Sequence, residues 1–111
     1  METAGEDPTL VSEFGKAFVE GIAGNGPGPM IAAPAPKHFS CYCGPENWGG
    51  IYRWTFDAVV PEKFLTSYFF PGWRTAIGTG KVKGPMCSCV APSLITCAHL
   101  RAQLPELYHA F

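Results

Sequence analysis

Ile31-Ala32-Ala33-Pro34-Ala35-Pro36-Lys37-His38-Phe39 is the stretch on which the fold turns. Residues 30–33 form a short, continuously apolar run, the pattern of a strand buried on both faces, and Pro34 and Pro36 close it because proline cannot donate to a sheet ladder. Strands of that kind belong to parallel sheets covered by helices. Helical patterns are therefore expected on either side, and both are present.

Upstream, Asp7-Pro8 is a helix start: the carboxylate can accept backbone N–H groups, and proline at the first helical position loses no bond. Leu10, Phe14, Phe18 and Ile22 then recur every fourth residue, which predicts an amphipathic helix packed along that stripe and running out at Gly21. Residues 24–29, Gly-Asn-Gly-Pro-Gly-Pro, form a loop. Downstream, residues 40–57 lack a period and predict a long excursion beyond the strand. Pro61 opens a second helix with Leu65, Phe69, Trp73 and Ile77 as its apolar stripe, widened by Phe64, Tyr68 and Ala76, and Pro71 should kink or break it. Residues 85–90 predict a second short strand, and Leu100, Leu104, Leu107, Tyr108 and Phe111 a last helix. Helix, strand, loop, helix, strand, helix is the order of an α/β unit with a parallel sheet. Two strands cannot make a doubly covered sheet alone, and a (β/α)₈ TIM barrel needs about 250 residues. The expected fold is a barrel fragment of about two strands with flanking helices, occupying residues 1–111 as one partial domain.

The 111 residues are 47% hydrophobic, enough to bury a core. Eight basic and nine acidic residues give a net charge of -1 with no basic stripe, which argues against nucleic acid as a partner. No apolar run approaches the roughly 20 residues of a membrane span, so no membrane partner is expected, and the first residues, METAGEDP, lack the apolar core of a secretory signal. Five cysteines, Cys41, Cys43, Cys87, Cys89 and Cys97, are an odd number, which leaves the redox compartment open.

Among chemistry-bearing residues, Lys37 and His38 come first because they follow the strand, where α/β enzymes place working groups. An ammonium offers three donors and an imidazole one or two, a pair suited to the hydroxyls of one sugar ring, although loop Lys and His are commonly just solvated. Glu6 and Asp7 do not form a catalytic pair: adjacent residues at a helix start point apart, and Asp7 is committed to capping. Glu46 and Asp57 have no evident partner. His38, Cys41, Cys43, Cys87 and Cys89 could hold zinc or copper(I) if the two strand ends lie side by side, so a small metal-binding or interaction protein is the alternative to a sugar-binding one. Trp48, Tyr52 and Trp54 could stack on a sugar or fasten their own loop.

Glu2-Thr3-Ala4-Gly5-Glu6-Asp7-Pro8 resembles the ETPGEDP segment of family 3 glycoside hydrolases, and Ile31-Ala32-Ala33 with Lys37-His38-Phe39 resembles their VAATPKHF strand. Glu46-Asn47-Trp48-Gly49-Gly50, Arg53 and Phe56-Asp57-Ala58 are similar to elements of the β-xylosidase branch, as are Pro85-Met86-Cys87-Ser88 and Cys97-Ala98. The resemblance covers almost the whole chain in order. It implies a retaining exo-glycosidase acting on β-xylosides or β-glucosides, usually secreted, in which Lys37 and His38 bind the glycon and no cofactor or metal takes part. It also implies that the nucleophilic aspartate and the acid/base glutamate fall outside these 111 residues, leaving no catalytic residue in the chain, which alone should be inactive. Cys89 stands where the family has tyrosine, and residues 90–96 depart from its pattern.

Overall fold

The computed structural model describes residues 3–42, 47–52 and 59–88. Helix α1 spans Pro8–Ala23, and Asp7 caps it as expected, its Oδ1 accepting the Leu10 N–H at 2.8 Å. The helix continues past Gly21 and ends at Gly24, whose N–H bonds the Glu20 carbonyl. Lys81 Nζ donates to the Gly24 carbonyl at 2.6 Å and to Asn25 Oδ1 at 3.0 Å, placing a cation at the negative end of α1.

The predicted packing face of α1 is corrected. Leu10, Phe14 and Phe18 are 56%, 54% and 55% exposed, whereas Ser12, Val19 and Ala23 are buried. The reason lies in the opposing helix. There the chain brings Gly72 against Val11, so close that a methyl group on Gly72 would lie 3.0 Å from Val11 Cγ1, and Gly15 faces Ala76. Small residues let two backbones approach, so the contact selects the small side of α1 and turns its large side chains away. Val19, Ala76 and Val82 form the core of this contact.

The second helical region runs without interruption through three geometries: α2 (Glu62–Phe64), a π-helical segment (Leu65–Phe69) and α3 (Phe70–Gly78). Of the kink or break expected at Pro71, the break does not occur, and a widened turn precedes the proline. Phe70 N–H reaches five residues back to the Leu65 carbonyl, just before proline enters at the start of α3, where its missing donor is tolerated. Leu65, Ala76 and Ile77 are buried and Phe69 and Trp73 half-buried, as the stripe predicts. Phe64 and Tyr68 are exposed, and Phe70 takes the buried place beside Leu65 and Cys41.

Strand β1 is Lys37–Phe39 and β2 is Met86–Cys87, and they pair in parallel, Lys37 opposite Met86 and Phe39 opposite Cys87, with an irregularity between the two pairs. Residues 30–33 are not the strand: Ile31 is 82% exposed, and the ladder forms six residues later. Lys83, Met86 and Ser88 donate their N–H groups to the carbonyls of Pro34, Pro36 and Phe39 at 3.4, 3.0 and 2.8 Å. Pro34 and Pro36 enter these bonds through their carbonyls, for which a proline N–H is not needed. Among the described residues the architecture is a small α/β unit with a two-stranded parallel sheet. Among the described residues no helix is long and apolar enough to cross a membrane. The predicted helix at Leu100–Phe111 lies outside them, as do Cys43, Glu46, Arg53, Trp54, Asp57, Cys89 and Cys97.

Two outcomes follow from this inverted α1. Val19→Ala, at the buried side, should cost about 2 kcal/mol in a denaturant titration. Phe14→Glu with Phe18→Lys, on the exposed side, should change stability by about 0.5 kcal/mol or less and reduce concentration-dependent light scattering.

Candidate functional site

Lys37 and His38 lie within β1 rather than after it. Phe39 fixes the strand to the helical layer, its ring meeting Trp73 edge-on with centroids 4.9 Å apart and lying nearly parallel to Phe70 at 6.2 Å. Its neighbour His38 has a different partner. His38 is half-buried, with Tyr42 tilted against it at a ring-centroid distance of 4.8 Å. Lys37, opposite Met86, is exposed. The peptide bonds Lys37–His38 and Phe39–Ser40 are cis.

The chain reverses immediately beyond β1. Ser40 and Cys41 are both buried, with Ser40 Oγ 3.3 Å from Cys41 Sγ, and Cys41 has a φ of 65°, a left-handed backbone that costs a residue with a Cβ about 1 kcal/mol. Burial of its thiol against Leu65 and Phe70, with Phe39, Val60 and Phe69 around them, holds the turn in place. A sequence pattern could not reveal this, because nothing in Ser-Cys-Tyr distinguishes an anchored reversal from an open loop. Tyr42 was missed for the same reason.

Of the aromatic loop candidates, Trp48 and Tyr52 are among the described residues. Trp48 is 74% exposed, at the start of a tight turn closed by the Ile51 N–H on the Trp48 carbonyl at 3.1 Å, and Tyr52 follows it. Gly49 and Gly50 carry this turn with φ values of 60° and 77°, which mirror-image turns require. Among the described residues no group of three or more His, Cys, Asp or Glu side chains could hold a metal. Cys41 is buried and Cys87 exposed. A cleft of about 150 Å³ opens near the start of the strand segment, lined by Phe18, Val19 and Ile22 of α1 and by Ala33, Pro34, Ala35 and Pro36. These side chains provide no hydrogen-bond donor, so the cleft does not suit a sugar, whereas Lys37 and His38 do.

This chain, with Lys37 and His38 in a parallel strand, is placed by comparison with known proteins. It is 41% identical over 89 residues to a probable exo-1,4-β-xylosidase of Aspergillus flavus, covering 79% of this chain and 11% of that protein. It is 35% identical over 108 residues to β-D-xylosidase 3 of Arabidopsis thaliana, covering 86% and 14%. With β-xylosidase/α-L-arabinofuranosidase 1 of Medicago sativa the identity is 37% over 91 residues, covering 79% and 12%. The chain belongs to glycoside hydrolase family 3, and it spans 11–14% of the length of these relatives. No family model and no solved structure matches it.

The two described thiols differ in access, which predicts their chemistry. Brief alkylation of the native chain followed by peptide mass analysis should label Cys87 at least about tenfold faster than Cys41, and denaturant should abolish the difference.

Proposed function

We propose that residues 1–111 are part of the N-terminal TIM-barrel domain of a family 3 glycoside hydrolase of the β-xylosidase type, in which Lys37 and His38 bind the non-reducing terminal sugar. The observation that carries this reading is the position of the two side chains in β1, beside a parallel partner strand, in a chain related to β-xylosidases over most of its length. The substrate class is a β-xyloside, of the kind released during xylan breakdown, or a β-glucoside.

Cationic and imidazole N–H groups assist glycoside cleavage only to the extent that their bonds to the ring hydroxyls tighten as the ring flattens toward its oxocarbenium-like transition state. Bond cleavage with retention needs two carboxyl groups about 5–5.5 Å apart, one attacking the anomeric carbon and the other protonating the leaving oxygen. Glu6 and Asp7 do not meet that requirement, since Asp7 Oδ1 is bonded to the Leu10 N–H. In this reading the two carboxylates come from sequence other than these 111 residues, and the chain by itself binds without cutting.

Purified chain incubated with chromogenic β-xyloside and β-glucoside should show no turnover above buffer. Turnover that disappears in Lys37→Ala would overturn the assignment of an inactive fragment. In a direct titration with methyl β-D-xyloside, Lys37→Ala and His38→Ala should each weaken binding by about tenfold, the loss expected for a charge-assisted or ring N–H contact to a hydroxyl. Binding unchanged in both variants would remove the two residues from the site.

A further inference from the structure

Residues four apart in an extended strand stand about 13 Å from one another. The rings of His38 and Tyr42 are 4.8 Å apart, so the contact exists only because the chain reverses between them. That reversal is built into the core: Cys41 is 3% exposed, adopts a left-handed φ of 65° and packs with Leu65 and Phe70, while Phe39 on its other side is held by Trp73. The turn therefore leaves the chain with Tyr42 aimed back over the imidazole. We infer that Tyr42 is a positioning residue for His38, its ring limiting the imidazole to one orientation toward a bound sugar. This rests on the sugar-binding role proposed for His38.

The physical basis is the softness of the imidazole torsion. Rotation about the Cβ–Cγ bond of histidine has broad wells, so a half-exposed ring without a neighbour samples several directions for its N–H. An aromatic ring tilted against it selects among them, and a contact of this type corresponds to about threefold to tenfold in the equilibrium it biases. The hydroxyl of Tyr42 is not required for this. The ring is.

The test uses the full chain with isotope-labelled histidine, comparing wild type, Tyr42→Phe and Tyr42→Leu by NMR. Without sugar, the His38 ring resonances report its contact with Tyr42. During titration with methyl β-D-xyloside, their displacement reports the sugar site. Tyr42→Phe should keep both the resonance positions and the affinity within about twofold, whereas Tyr42→Leu should move the His38 signals and weaken the xyloside by about threefold to tenfold. A Tyr42→Leu chain whose His38 signals and xyloside response match wild type overturns the positioning role alone. Loss of affinity in Tyr42→Phe also overturns it, by assigning the effect to the hydroxyl. If wild-type His38 does not respond to the xyloside, the sugar site fails, and the role of Tyr42 in it fails as well.

Discussion

Backbone pairing between residues 34–39 and 83–88 brings together parts of the chain nearly fifty residues apart, and the rest of the arrangement depends on it. Flanking the paired strands, the Lys83, Met86 and Ser88 N–H groups bond the carbonyls of Pro34, Pro36 and Phe39. Pro34 and Pro36 take part through their carbonyls, which lets a proline-containing segment lead into a strand, and the pairing sets Lys37 and His38 beside β2 instead of in a loop. With the pairing made, Phe39 packs against Trp73 in the helical layer, while His38 meets Tyr42.

The helices are organised by close approach more than by bulk. Gly72 against Val11 and Gly15 against Ala76 bring α1 and α3 together, and Val19, Ala76 and Val82 fill the seam. Large apolar side chains at a four-residue spacing identify α1 as amphipathic, but they do not determine which side of it meets this neighbour. Leu10, Phe14 and Phe18 lie on an outer surface, with the Phe14 and Phe18 rings stacked at 5.9 Å. In a chain that spans 11–14% of its relatives' length, an apolar helix face outside the local core is consistent with a larger parent domain.

The site and the core share their boundary at the turn after β1. Cys41 serves packing, and the residues on either side of it, His38 and Tyr42, face each other because it does. A left-handed cysteine persists only where its surroundings over-determine it, and here Leu65 and Phe70 pack against Cys41.

The sequence by itself determined the start of α1, the stripe of Leu65, Phe69, Trp73 and Ile77, the parallel sheet and the family, because caps, periodicities and short motifs are local or additive signals. It misplaced β1 by treating residues 30–33 as the strand, since an apolar run shows burial preference but not which carbonyls a distant segment will use. It also buried the wrong face of α1 and left open whether the second helix kinks or breaks at Pro71. Those matters were decided only in three dimensions, by a glycine that admits a valine, a π-helical turn that accommodates a proline, and a ladder that needs acceptors where the prolines lie. The contact of His38 with Tyr42 belongs to the same class: it requires a chain reversal whose cause, a thiol buried among residues far along the chain, leaves no periodic mark in the sequence.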